Sequence, residues 1–455
     1  MVTLAKALHL DGSPRLGFVG AGGKTIAMAQ LSRELKPPLV ISTTTHLGTW
    51  QTSLADHHWL IEDQSNLDFS NILQEGVTLV TRPPEGDRLP GPEKAQLDTL
   101  ADYCRVHKIP LLLECDGSRQ RPLKVPASHE PMIPEFLDLV VVVAGLSGLG
   151  KPLDEETAYN PDDFATLSGL KLGQTVTTQA VADVLCHESG GLKDIPSECD
   201  RVCLLNQADT EELQSLAASL ARKVMPAFNA VIIASLKNRK IIARLEHTAG
   251  IILAGGSSSR LGQPKQLVNF QGNPLIQHTI STSVSAGLSP VIVVTGAYEE
   301  IVREAIGEWL NKVSVVHNPD WQEGQASSIR AAVNHLVNRQ NPHKPAPIEQ
   351  CLPGSAVFLL ADQPMVSVAV IRALIEAHSQ TLTPVIAPLV EGRRGNPVLM
   401  DRSLFPDLLA LSGDVGGRAI FSKYPPHYIQ WFDDSILKDI DTPADLEAFL
   451  VDYPS

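Results

Sequence analysis

Two series of short, unbroken apolar runs constrain the fold of this chain more than any single residue does. The first falls at residues 16–19, 39–42, 77–80, 111–114, 139–143, 202–205 and 230–234. The second falls at 251–253, 291–295, 313–316, 356–360, 385–388, 398–400 and 428–431. An alternating strand keeps one wet face, whereas an unbroken apolar run is buried on both, as in a parallel sheet covered by helices. Amphipathic segments separate several of the runs, so each series predicts its own α/β domain. The charge cluster over residues 236–248 predicts a link, which gives domains at 1–235 and 249–455. Apolar content of 43% over 455 residues is enough for two cores. The proline-rich stretch 338–354 predicts a long insertion between a helix and the next strand.

Net charge narrows the partners. With 37 Lys+Arg against 51 Asp+Glu the chain carries −14. It lacks the basic stripe that a nucleic-acid partner requires, so its local cations suit small anionic substrates. No apolar run is long enough to span a bilayer and the N-terminus lacks a signal pattern, so no membrane is expected and the expected location is cytoplasmic. Six scattered cysteines predict no disulfide frame, and the Cys199/Cys203 pair lacks the further ligands that zinc needs.

Chemistry concentrates where two of the apolar runs end in glycine turns. In the second half, Leu253 and Ala254 lead into Gly255, Gly256 and Ser257, followed by Arg260 and Lys265. Paired glycines let backbone N–H groups approach an anion, and the two cations supply charge where a triphosphate would lie. Asp362 follows the apolar run 356–360, at the strand edge where open α/β sheets bind ligands. A carboxylate there suits Mg²⁺, which uses one or two carboxylates plus phosphate oxygens. Its alternative is a cap for the helix after Pro364.

The order L-A-G-G-x-S-x-R-x-G-x-x-K resembles the signature of nucleotidyltransferases. Together with Gly324 to Ser328, Gly392 to Pro397, Gly413 to Arg418 and Asp439-Ile-Asp441-Thr-Pro443, it resembles the molybdenum cofactor cytidylyltransferase family over about residues 249–450. The resemblance implies a Rossmann-like, GT-A-like nucleotidyltransferase domain. The implied reaction moves CMP from CTP to the terminal phosphate of molybdopterin-bound molybdenum and releases pyrophosphate. Arg260, Lys265 and Asp362 would be catalytic, with Mg²⁺ on Asp362 and Asp441. Residues Leu253 to Ser257 would bind the triphosphate, and Gly324 and Ser328 the base. Arg393, Arg394, Gly395, Asn396 and Arg418 would form the pterin side. Simpler readings stay open: Ser327 or Ser328 as a helix cap, Asp441 as a cap beside Pro443, Arg393 and Arg394 as a solvated turn, and Trp321 as packing.

In the first half, the run 16–19 ends in Gly20-Ala-Gly22-Gly23-Lys24-Thr25. Phe18 stands where a strict P-loop needs glycine, yet the glycines before Lys24 and Thr25 can still form an anion nest at a helix start. A tight turn with an exposed lysine is the alternative. Ser42 to His46 and Glu114-Cys115-Asp116 end two further strands with polar groups, and Asp116 is a candidate metal ligand. Cys115 reads as a small buried residue, and His46 as a hydrogen-bonded structural histidine.

The motifs V-G-A-G-G-K-T, T-T-T-H, D-G-S-R-x-R-P-L-K and H-E-P-x-I-P resemble the YqeC-type accessory proteins linked to selenium-dependent molybdenum hydroxylases, across about residues 5–235. That resemblance implies an accessory role with a molybdenum hydroxylase as client and no defined reaction, while nucleotide binding by a P-loop-like domain rests on the glycine turn itself. Rival readings for the whole chain are guanylyl or sugar-phosphate transfer, and a nucleotide-sensing cofactor chaperone.

Overall fold

The computed structural model describes residues 2–61, 69, 75–257, 263–338, 351–440 and 442–452. The chain divides into two compact units, Met1–Leu245 and Glu246–Ser455.

The first unit is built on a nine-stranded sheet. In chain order its strands are β1 (Arg15–Gly20), β2 (Leu39–Thr43), β3 (His57–Leu60), β4 (Val77–Thr81), β5 (Leu111–Glu114), β6 (Leu139–Gly145), β7 (Asp200–Asn206), β8 (Ala230–Ser235) and β9 (Lys240–Glu246). In space they run β9-β8-β7-β6-β1-β5-β2-β4-β3. The pairings of β1 with β5 and β6, of β2 with β4 and β5, and of β7 with β6 and β8 are all parallel. Strands β2, β4, β5, β6 and β8 are buried at every residue, as their unbroken apolar runs require.

The helix Glu211–Val224 shows how local sequence builds the covering layer. The Thr210 hydroxyl accepts from the Leu213 amide, Glu211 and Glu212 occupy the first turn, and Arg222 and Lys223 the last. Charges so placed complement the helix dipole. Ala217, Leu220, Ala221 and Val224 recur at helical spacing and are buried.

Residues 236–248, expected as a link, instead hold strand β9 at the edge of the first sheet. Ile241 and Arg244 are buried between more exposed neighbours, a half-buried edge pattern that the charges conceal in the sequence.

The second unit contains strands β10 (Thr248–Ala254), β11 (Val291–Thr295), β12 (Ser314–His317), β13 (Ser355–Leu360), β14 (Val385–Val390), β15 (Arg393–Arg394), β16 (Val398–Asp401) and β17 (His427–Gln430). Their order is β12-β11-β10-β13-β16-β14-β15, with β17 also on β14. β10, β11, β12 and β13 are mutually parallel, and β16 is antiparallel to β13. Ile252, Val293, Val357 and Leu359 belong to one hydrophobic cluster, and Ile251, Ile292, Ala356 and Phe358 to another. Successive strand residues thus feed opposite faces, and both faces are covered. The expected insertion at 338–354 lies mostly outside the described residues. No described helix is long and apolar enough to cross a membrane.

Candidate functional site

Strand register creates the site in the second unit. Leu253 of β10 pairs with Leu360 of β13, so the chain leaves the two strands side by side, as Gly255-Gly256 and as Asp362. After β10 the chain builds β11 and β12 on one side and only then β13 on the other, which is the switch point where open α/β sheets bind ligands. A cleft of about 620 Å³ opens there. Leu253, Ala254, Gly255, Gly256, Ser257, Lys265, Gly324, Ser328 and Asp362 all line it.

The glycine loop is held from several directions. Gln266 donates to the Ala254 carbonyl at 2.9 Å, and the Tyr298 hydroxyl donates to the Ser257 carbonyl at 3.2 Å. A Cβ at Gly255 would lie 3.1 Å from Ser328 Oγ, whereas one at Gly256 would meet nothing within 4 Å among the described residues. Gly255 is therefore packed, and no described residue crowds Gly256. Ser327 and Ser328 both accept from Asn318, and Ser327 donates to the Gly324 carbonyl, so Asn318 fixes this corner of the cleft. Gly324, at φ +97°, lies so close to Asp414 that a Cβ would collide with it. Trp321, expected to pack, is half-buried and lines the cleft.

Lys265 Nζ lies 3.3 Å from Asp362 Oδ2. Burial pushes the Asp362 carboxyl above the ordinary aspartate value; Lys265 opposes the rise and the nearby Asp439 adds to it. Asp439 also accepts from Gln363. The following helix Val368–Thr381 is capped by Ser367, so Asp362 does not serve as its cap. Asp439, two residues before Asp441 in the sequence and not expected at the site, sits near Asp362. Arg260 and Asp441 lie outside the described residues.

A second, adjacent cavity of about 250 Å³ shares Leu253, Gln325 and Leu360 with the first, and Arg394, Asn396 and Arg418 line it. Burial and the neighbouring Arg418 depress the Arg394 pKa, although its guanidinium also stacks 5.1 Å from the Phe421 ring. Arg394 Nε is buried without a hydrogen-bond partner among the described residues. Two guanidiniums raising each other's energy in a cavity make a good phosphate seat. Arg393 instead points to solvent on β15, and Gly395 packs against Ile436, so neither lines the cavity.

The first unit repeats the arrangement with a different outcome. Phe18 of β1 pairs with Glu114 of β5, which sets Asp116 beside Gly20. Asp116 Oδ2 accepts from the Gly20 amide at 2.9 Å. Lys24 does not reach outward: its side chain is 3% exposed, and its ammonium donates to the Gly20 carbonyl at 2.6 Å and lies 2.9 Å from Asp116. Burial works against its charge, but Asp116 and Glu114 outweigh it, and its pKa is raised. Lys124 takes the other side of Asp116 at 2.9 Å and Glu130 at 2.7 Å. Asp116 was expected as a metal ligand; two ammonium groups hold it instead, and the described residues leave it no open face. Thr25 receives a 3.3 Å hydrogen bond from Gln51, which also reaches Glu114. Gly22 and Gly23 have positive φ and press against Gly145 and Asn206, where any Cβ would collide. Cys115 is buried, which pushes its thiol pKa up and leaves it a packing residue.

Among the described residues, Glu246, His378 and Asp401 are the one group of three side chains spaced to hold a metal ion. Asp401 pairs with Ser355 at the start of β13, the opposite end of that strand from Asp362. His378 bonds Asp401 at 3.0 Å, and Asp401 caps the turn after β16 through the Ser403 amide, a structural use.

Comparison with known proteins agrees with this geometry. Residues 250–428 match the MobA-like NTP transferase domain family, and residues 16–162 match the YqeC protein family. Nicotine blue oxidoreductase of Paenarthrobacter nicotinovorans is 30% identical over 213 residues, covering 44% of this chain and 95% of that protein. The chain belongs to the MobA-like NTP transferases through its second half. Molybdenum cofactor cytidylyltransferase of Escherichia coli K12 is 26% identical, over 43% of this chain and 91% of the relative. YqeC of the same organism, 28% identical, spans 42% of this chain and 75% of its own length. The protein is thus a fusion of a YqeC-type half with a MobA-like NTP transferase half, and the second half is a nucleotidyltransferase.

Proposed function

We propose that the transferase half moves CMP from CTP to the terminal phosphate of molybdopterin-bound molybdenum, releasing pyrophosphate. The observation that carries this reading is the adjacency of the two cavities, which share the walls Leu253, Gln325 and Leu360. The first has a glycine loop, Lys265 and Asp362 where a triphosphate belongs, and the second has Arg394 and Arg418 where an acceptor phosphate belongs. Leu253 and Leu360 line both, so acceptor and nucleotide meet at the β10 and β13 strand ends.

Phosphoryl chemistry of this kind needs positioning and charge neutralisation more than covalent help. Gly255 and Gly256 would bring backbone amides to the triphosphate, and Lys265, with Arg260 by its sequence position, would balance charge on the departing pyrophosphate. Asp362 with nearby Asp439 offers the oxygen donors that Mg²⁺ prefers, and the mutual repulsion of these acids is what a divalent cation relieves. Bound there, the cation would stabilise charge at the attacked phosphate. Arg394 and Arg418 would hold and orient the acceptor phosphate. Gly324 and Ser328, with Trp321 alongside, would contact the base.

We also propose that the YqeC half binds a nucleotide at Gly22, Gly23, Lys24 and Thr25, the phosphates drawing Lys24 away from Asp116, in an accessory step for a client molybdenum hydroxylase. The glycine loop's place at a switch point of its own sheet, where β1 lies between β5 and β6, supports this. Incubation of the pure chain with molybdenum cofactor, Mg²⁺ and each of the four NTPs, read by mass spectrometry, tests the transfer. A cytosine dinucleotide product with pyrophosphate is expected. A guanine dinucleotide, or release of pyrophosphate only with a sugar phosphate, would overturn the cytidylyl assignment.

A further inference from the structure

Strand β7 of the YqeC half ends in Asn206-Gln207-Ala208-Asp209, and these residues do work the sheet does not require. Asn206 is 2% exposed. Its amide donates to the Gly22 carbonyl at 2.8 Å, and its side-chain oxygen accepts from the Leu236 amide at 3.1 Å. One buried side chain therefore ties the glycine loop after β1 to the turn after β8. Asp209, three residues on, is exposed, and one of its oxygens accepts from the buried Ser235 hydroxyl at the end of β8. Asn238 donates to the same hydroxyl at 2.8 Å, which fixes Ser235 in turn. An exposed carboxylate would ordinarily rotate freely in water; this one is oriented by a buried partner.

Position adds to orientation. Three residues of extended chain span at most ~10 Å, so Asp209 stands within about a nucleoside's length of the glycine loop that Asn206 touches. The helix Lys24–Glu34 packs against the turn Leu236–Asn238, and a groove of about 410 Å³ runs beside them. Ile26, the residue after Thr25, lines that groove and is 45% exposed although apolar. The groove, also lined by the charged Arg33, Glu34, Lys237 and Arg239, borders the turn that follows Ser235, the partner of Asp209, and Ile26 presents an apolar surface to it two residues after Lys24.

We propose that this end of the sheet selects a guanine base, with Asp209 as the specificity residue; the inference rests on the reading that the YqeC half binds a nucleotide at Gly22 to Thr25. An ionised carboxylate only accepts hydrogen bonds. Guanine presents two adjacent N–H donors, at N1 and at the 2-amino group, which match its two oxygens. Adenine and cytosine each set a ring-nitrogen lone pair beside a single donor, and uracil sets its one N–H between two carbonyls. Each would turn a lone pair toward the charge. Asn206 couples the two ends of the site, because the side chain that braces Gly22 also braces the turn carrying the Ser235 and Asp209 pair.

The test is calorimetric titration of the full chain, with Mg²⁺, against GDP, ADP and xanthosine diphosphate; diphosphates are not substrates for the transfer. GDP is expected to bind on the order of 10- to 100-fold more tightly than ADP, the worth of a charge-assisted pair. Asp209→Asn keeps the shape and can still accept from Ser235. It replaces one acceptor by a donor, so it should reverse the order of GDP and xanthosine diphosphate, because xanthine carries a carbonyl where guanine carries the 2-amino group. Equal binding of GDP and ADP, or an unchanged order in Asp209→Asn, overturns guanine selection. Thr25→Val, which preserves shape, and Lys24→Met, checked for folding by circular dichroism, report on the underlying reading. If GDP binding survives both, the nucleotide is not at the glycine loop, and that reading fails together with this inference.

Discussion

Lys265 and Asp362 face each other across 3.3 Å at the mouth of the transferase cleft, an ammonium beside a carboxylate that burial and Asp439 have made reluctant to ionise. Such a pair is poised for exchange. A divalent cation can replace the ammonium at Asp362, and the released Lys265 can turn to a phosphate.

Asp362→Asn should therefore abolish transfer with the fold intact, since a neutral amide of the same shape binds a hard cation poorly. The expected loss is on the order of a thousandfold in rate, several kcal/mol of barrier. Pyrophosphate release measures it, and near-wild-type release would remove Asp362 from the mechanism.

The same variant should alter the pH dependence of stability. The folded Asp362 pKa is raised, so between the ordinary aspartate value and the folded value the native state holds a proton that the unfolded chain has lost. Stability falls as pH rises through that window. Metal-free Asp362→Asn escapes this fall, so its thermal midpoint should gain on the wild type as pH rises from acid to neutral. Added Mg²⁺ should raise the midpoint of the wild type alone. Parallel midpoints at every pH would mean that the Asp362 pKa is not raised.

Gly256→Ala separates shape from ligand contact. A Cβ there meets nothing within 4 Å among the described residues, so stability should hold within about 0.5 kcal/mol, the usual range for a harmless surface change. Triphosphate affinity should nevertheless fall, because the new methyl group would stand where the backbone approaches the anion. Unchanged affinity for CTP would place the triphosphate elsewhere.

Lys24→Met addresses the first half. Lys24 is buried against Asp116, so removing it leaves an acid balanced by Lys124 alone and should cost about 3 kcal/mol of stability. An exposed control, Lys171→Met, should cost almost nothing. Denaturant unfolding of both variants checks this; equal midpoints would mean that the buried pair contributes no net stability.

All fourteen apolar runs became strands, because unbroken burial on two faces leaves a strand little other composition, and both glycine turns stand at strand ends for the same reason. The two strand-end aspartates were legible too, but their partners were not. Lys24 and Lys265 occupy matching places after glycine turns, yet Lys24 is sealed against Asp116, which Lys124 also holds, while Lys265 sits at an open cleft. Asp439 reaches Asp362 and Gln363 from a distant segment, and Asn318 reaches Ser327 and Ser328 through a turn of the chain, so only loop packing could bring them there. The charges of residues 236–248 suggested a solvated link, and the chain made an edge strand of it, since an edge needs only one buried face. Local sequence thus determined which segments are strands and which turns can approach an anion. The tertiary structure alone decided which charges meet, because an ion pair depends on distances that sequence separation does not fix.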